Sequence, residues 1–190
     1  MIKRIVNSDV FKMVTALSVV GIISAVSLVF VYSYSLPKII ENTNKATQNG
    51  IKQLFPDAGK ITKTSMDGVF EVEDANGQAL GYAFTSVGNG YQGPINIIAG
   101  VDPDINKMIG MEVLDSQETP GLGAEIAGDF RKQFSGLSVE GDITYLKNKK
   151  PEKPGEIEAI TGATISSRAV VNMLNKSIQD LREKVKGNKE

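Results

Sequence analysis

Residues 69–87 read VFEVEDANGQALGYAFTSV, and the fold class turns on them. Val69-Phe70-Glu71-Val72-Glu73 alternates apolar and acidic side chains, Asn76-Gly77 is a hairpin turn, and Ala79 to Val87 resumes with Leu80, Tyr82 and Phe84. Two strands and a tight connection are therefore expected. Moving outward, Ile95 to Val101 is nearly continuous apolar, as a central strand would be. Ile109 to Leu114 pairs with it across the Asp102-Pro103-Asp104 turn. Gly88 to Pro94 (GNGYQGP) is a glycine-rich loop with one aromatic ring, the composition of most turns. Gln117 to Gly123 (QETPGLG) is a second such loop. Proline restricts the residue before it and glycine permits positive φ. A short helix is expected over Ala124 to Phe134, a solvated basic loop over Lys147 to Lys153, and a last short strand over Ile157 to Ile160.

The chain closes on Thr161-Gly162-Ala163-Thr164 and an amphipathic helix that Ser166 or Ser167 would cap. Its positions Val170, Met173, Leu174, Ile178, Leu181 and Val185 keep helical spacing, which reads as core packing. The charged tail from Arg182 to Glu190 is expected to fray. The four residues TGAT set two hydroxyls around two residues with almost no side chain. At a helix entrance, backbone N–H groups without partners favour an anion. Taken alone, the same residues also fit an ordinary capped helix start.

Upstream, no charged residue occurs between Met13 and Pro37. At about 1.5 Å per residue, Met13 to Tyr32 spans roughly 30 Å as a helix, the thickness of a bilayer's hydrocarbon core. Tyr32 and Tyr34 suit an interface. A cleaved signal peptide would have a shorter apolar region ending in an A-x-A-like site. This run is longer and ends in YSYSLP, so an uncleaved anchor is expected. Lys3, Arg4 and Lys12 against Asp9 put Met1 in the cytoplasm and the chain after Pro37 outside it. Gly21, Ser24 and Ala25 would let another helix approach, or are passive members of the run. Ile39 to Leu54 continues as a helix that Pro56 ends.

The chain has 190 residues, a formal net charge of −1 and neither Cys nor His. Disulfides, thiolate-bound metals and the commonest general base are excluded. Redox work would need an organic cofactor. No global field points to nucleic acid.

In order, the anchor, the hairpin, Gly90-Tyr91-Gln92-Gly93, Glu118-Thr119-Pro120-Gly121-Leu122-Gly123 and Thr161-Gly162-Ala163-Thr164 resemble the FMN-binding domain of the G subunit of the Rnf electron-transport complex. They also resemble the related C subunit of the Na+-translocating NADH:quinone reductase. The resemblance covers nearly the whole chain. It implies FMN bound covalently through a phosphoester to Thr164, installed by a flavin transferase. Thr161, Gly162 and Ala163 would cradle the phosphate. Glu118 to Gly123 would lie beside the isoalloxazine ring, with Tyr91, Gly93 and Leu122 among its neighbours. Two departures stand out. Glu158 replaces an Asp usual three residues before the motif, and Ser116-Gln117 replace a histidine common ahead of E-T-P-G.

The resulting expectation is an α+β protein in which one transmembrane helix precedes an extracytoplasmic domain with a mostly antiparallel sheet and flanking helices. Its divisions are residues 1–12 in the cytoplasm, 13–37 in the membrane, 38–56 a juxtamembrane helix, 57–186 the FMN-binding domain and 187–190 a tail. By resemblance it relays electrons within an ion-translocating ferredoxin:NAD+ oxidoreductase of the cytoplasmic membrane. Iron–sulfur and membrane subunits, lipid and the transferase would be its partners. No catalytic acid, base or nucleophile is expected, nor a metal site. Alternatives are the quinone-reductase subunit and a cofactor-free, membrane-tethered binding or scaffold module.

Overall fold

The computed structural model describes residues 9–187. Lys3 and Arg4 of the orientation argument, and residues 188–190 of the tail, lie outside the described residues. Helix α1 runs from Asp9 to Leu54 with Pro37 inside it. The chain divides into two compact units, one ending at Lys45 and the other beginning at Ala46. In the first, the helix is long and apolar enough to cross a membrane. Its apolar side chains, Leu17, Ile22, Leu28 and Phe30 among them, are exposed. A continuous apolar surface of that length is costly in water and at home in lipid. An interior proline removes one helical hydrogen bond, a loss that membrane helices accommodate locally.

In the second unit, β1 (Lys60–Lys63), β2 (Val69–Glu73), β3 (Ala79–Asn89), β4 (Pro94–Val101) and β5 (Met108–Ser116) form one sheet in sequence order. All four pairings are antiparallel. The turn after β2 forms because Asp74 Oδ1 accepts from the backbone N–H groups of Asn76 and Gln78 while Gly77 takes φ +83°. A parallel pair, β6 (Thr144–Leu146) with β7 (Glu156–Glu158), stands apart.

The two-residue period of β4 explains the layering. Ile95, Ile97, Ala99 and Val101 join a core that includes Phe84, Phe134, Val170, Leu174 and Ile178. Ile98 points the other way, onto Ile51 and Phe55, with Val72 and Ala83. The last turns of α1 thus cover one face of the sheet. The terminal helix α3 (Thr164–Gly187) packs on the opposite side. Close approach is permitted by glycine: a Cβ at Gly50 would stand 2.6 Å from Ile98 Cγ2, and one at Gly100 2.7 Å from Phe55 Cε2. The chain is an apolar N-terminal helix followed by a mostly antiparallel sheet domain with flanking helices.

Several local expectations are corrected. The helix expected over Ala124 to Phe134 is two pieces, a 3-10 helix Gly123–Ala127 and a single α-turn, α2 (Asp129–Lys132). They part at Gly128, whose φ −89° and ψ −132° are not helical. Gly88 and Asn89 belong to β3, which shortens the first glycine loop to a four-residue hairpin connection closed by Gly90 N–H on the Gly93 carbonyl at 2.8 Å. The expected strand over Ile157 to Ile160 is Glu156–Glu158. The tail does not fray at Arg182, because α3 continues to Gly187. The Arg182 guanidinium donates to the Ile105 carbonyl at 2.7 Å and to that of Val139.

Candidate functional site

The segment before α3 is fixed at both ends. Upstream, the Gln133 side chain grips Glu158 both ways, its Nε2 donating to the Glu158 carbonyl at 3.0 Å and its Oε1 accepting from the Glu158 N–H at 2.8 Å. Downstream, Asn175 brackets Ile143 in the same manner, at 2.8 and 2.9 Å, and so sets the position of α3. Between them the chain must reverse within Ile160 to Ala163. Gly162 at φ +82° makes this cheap, since an L side chain would be strained there. Ala163 N–H donates to the Ile160 carbonyl at 3.0 Å, and α3 begins at Thr164.

Neither Ser166 nor Ser167 caps this helix. Both lie inside its first turn, and both are buried. Ser167 Oγ accepts from the Ile160 N–H at 2.9 Å and donates to the Ala163 carbonyl at 3.1 Å, tying the helix to the chain that enters it. The first helical bond runs from Ser167 N–H to the Ala163 carbonyl. The N–H groups of Thr164, Ile165 and Ser166 therefore precede any carbonyl the helix itself can offer.

Thr119 to Leu122 is a turn closed by Leu122 N–H on the Thr119 carbonyl at 3.2 Å. Pro120 occupies its second position and Gly121, at φ +72°, its third. That pattern is a type II turn, in which proline pre-sets one dihedral and glycine supplies the positive one. The turn is strapped to the neighbouring hairpin by Thr119 Oγ1 donating to Gln92 Oε1 at 2.5 Å.

Glu118 joins all three segments. Its side chain is buried, 7% exposed. Oε1 accepts from the Gln92 N–H at 2.9 Å and Oε2 from Ser166 Oγ at 2.5 Å. Gly90 and Gly123 leave no room for a Cβ beside these oxygens, and at Gly123 the Ser166 hydroxyl also crowds in. Burial pushes the Glu118 carboxyl up. The Ser166 hydroxyl and the backbone N–H groups of Gln92, Tyr91 and Gly93 outweigh it and hold the group below its ordinary value. Ser166 spends its proton on this bond, so only its lone pairs are left for anything else.

A cleft of about 360 Å³ opens where the segments meet, lined by Tyr91, Glu118, Thr119, Leu122, Gly123, Gly162, Ala163, Thr164, Ile165 and Ser166. Tyr91, Leu122 and Ile165 are 71%, 46% and 45% exposed, three large apolar surfaces around one opening. Among the described residues no basic side chain lines it. An anion in the cleft would meet backbone N–H groups at the start of α3, and a flat apolar ring would meet the three exposed side chains.

Eight of the twelve residues selected from sequence stand around this cleft. Thr161 lies instead on a second cavity of about 750 Å³ with Glu125, Asp129, Phe130, Gln133 and Glu158. Pro120, Gly121 and Gly93 shape the loops without lining the cleft; Gly93 packs on Gln117, which a Cβ would approach to 2.8 Å. Ile165 and Ser166 line the cleft but were not selected as ligand contacts. Their places, one and two residues past the last motif threonine in a first helical turn, were the available signal.

Residues 90–179 match the FMN-binding domain family. The G subunit of the Na+-translocating ferredoxin:NAD+ oxidoreductase complex of Acetobacterium woodii is 39% identical over 106 residues, 55% of this chain and 51% of that protein. The chain thus spans about half the length of that relative. The G subunit of the ion-translocating oxidoreductase complex of Methanosarcina acetivorans is 28% identical over 183 residues, covering 90% of this chain and 94% of the relative. Among solved structures, the C subunit of the Na+-translocating NADH-quinone reductase from Parabacteroides distasonis superposes with a TM-score of 0.55. That likeness covers 76% of this chain and 92% of the other at 23% identity, and it is one of fold.

Proposed function

We propose, for a chain that belongs to the family of G and C subunits of ion-translocating oxidoreductases and carries its FMN-binding domain, a membrane-anchored electron relay whose FMN is bonded through phosphate to Thr164. The observation that carries this reading is the convergence of Thr164, the open first turn of α3 and three exposed apolar side chains on one cleft. When bound, the flavin ring supplies reversible electron transfer, chemistry that a chain without Cys or His lacks.

The residues present fit such a group. Thr164 supplies the hydroxyl oxygen that forms the ester to phosphorus; its proton and one phosphate hydroxyl group leave formally as water. A transferase acting on an activated flavin nucleotide would carry that oxygen away within a nucleotide leaving group. The remaining phosphodiester charge is met by the α3 N-terminus, worth about 0.3–1 kcal/mol at an exposed site. Gly162 lets the chain turn without a Cβ pressing on Leu122, which one would approach to 3.2 Å. Tyr91, Leu122 and Ile165 would cover the ring and exclude water from it. Thr119 and Ser166 offer polar contacts at the cleft wall. The domain lies outside the cytoplasm, where a tethered cofactor cannot drift away, and its partners are the other subunits of a ferredoxin:NAD+ oxidoreductase. The names of the relatives in Acetobacterium and Methanosarcina support the G subunit over its quinone-reductase counterpart, whose likeness here is in fold alone.

The test is peptide mass spectrometry on protein from cells that contain the transferase. The peptide holding Thr164 should be heavier by FMN less water. Thr164→Val should fold and lose in-gel flavin fluorescence after denaturation. An adduct on Thr161, or fluorescence retained by Thr164→Val, would refute the attachment site.

A further inference from the structure

A buried carboxylate normally sits beside a basic partner. Glu118 does not: among the described residues no ion pair reaches it. Its oxygens instead receive the Ser166 hydroxyl at 2.5 Å and the Gln92 N–H at 2.9 Å, with Gly90 and Gly123 closing over them. Every contact is a donor, so the arrangement is built for the ionised form. Donated hydrogen bonds satisfy the oxygens without cancelling the unit charge. Glu118 lines the cleft, and among the described residues no Lys or Arg lines it with Glu118. An amide nitrogen in place of Oε2 would set donor against donor unless the Ser166 hydroxyl turned to accept, so the contacts favour a carboxylate over its neutral isostere.

Resting on the reading of the cleft as a flavin site, we infer that Glu118 is a positioning residue that keeps one uncompensated negative charge at the cleft wall, making the bound ring harder to reduce than it would be beside a neutral side chain. Reduction adds negative charge to the ring, and a fixed charge of the same sign at short range opposes it, the more so where water is excluded. Glu118 contributes by position and charge alone. No bond to it forms or breaks.

The experiment uses full-length protein co-expressed with a flavin transferase, its midpoint potential read by spectroelectrochemical titration. Glu118→Gln removes the charge and keeps the size; its potential should move to a more positive value. Glu118→Asp keeps the charge but is one methylene short of Ser166; its potential should stay at the wild-type value. A merely structural role would move both variants together. The inference is overturned if Glu118→Gln leaves the potential unmoved, or if Glu118→Asp moves as far as Glu118→Gln. Should Glu118→Gln fail to fold, Glu118→Met takes its place as the neutral variant: a potential more positive than that of Glu118→Asp sustains the inference, and equal potentials overturn it. Wild-type protein without any flavin would remove the site reading and this inference together, whereas flavin present with unmoved potentials removes this inference only.

Discussion

At Glu118, burial and hydrogen bonding pull in opposite directions, and four donors on one loop and a helix settle the contest in favour of the charged form. The consequence for stability has a definite sign. A carboxyl whose folded value lies below its unfolded one stabilises the fold fully above the unfolded value, about 4.3 for Glu. That contribution is lost as pH falls through the folded value. In the flavin-free protein, the stability difference between wild type and Glu118→Gln should therefore be constant from neutral pH down to mild acid, then shrink on further acidification. Urea unfolding at a series of pH values measures it. A difference that widens in acid would mean that Glu118 is protonated in the folded protein. Thr164 presents the opposite case, a side chain with no structural task evident at its hydroxyl, which is why its replacement by Val should leave the fold intact.

Elements tell a different story from residues, because packing decides what propensity leaves open. Gly50 lies within α1, where alanine ordinarily stabilises by about 1 kcal/mol over glycine. Here a Cβ would stand 2.6 Å from Ile98 Cγ2 and 3.4 Å from Leu114 Cδ2, between a helix and a sheet already in contact. Overpacking of that kind costs about 1–3 kcal/mol, so Gly50→Ala should be net destabilising by about 1 kcal/mol in urea or thermal unfolding. An increase in stability would show that α1 does not press on the sheet as described. The same contest governs what the sequence disclosed. Strands β2 to β5 were legible because each carries a period-two or continuous apolar run bounded by turn residues. Strand β1 was not: in Lys60-Ile61-Thr62-Lys63 one apolar side chain stands among polar ones, and pairing with β2 alone makes it a strand. Strand β6 is three residues long and exists through its parallel register with β7. Gly128 breaks the helix expected beyond Ala124, and the C-terminal part of α3 is held at Arg182 by two carbonyls far away in sequence, Ile105 and Val139. The cleft followed the same rule. Its motif residues were legible one loop at a time, while Ser166 drew its importance from Glu118, 48 positions earlier.

On the scale of the whole molecule, the chain has one long apolar helix and one sheet domain with a core of its own, and the proposed relay depends on which side of the membrane the domain occupies. The charge argument rests on Lys3, Arg4 and Lys12 against Asp9, with the apolar run beginning just after. That asymmetry is the ground on which an N-terminus in the cytoplasm and a domain outside it are proposed. The absence of cysteine makes the question unusually clean, since any introduced thiol is the only one in the polypeptide. Lys149 is exposed in the loop between β6 and β7, and Asp9 is exposed at the first described residue of α1. In intact cells or spheroplasts, a membrane-impermeant maleimide should label Lys149→Cys and leave Asp9→Cys untouched until the membrane is broken. Labelling of Asp9→Cys in intact cells with Lys149→Cys protected would reverse the orientation. The cofactor would then face the cytoplasm, where loss of a free flavin could be made good, and the reason offered for a covalent tether would go with it.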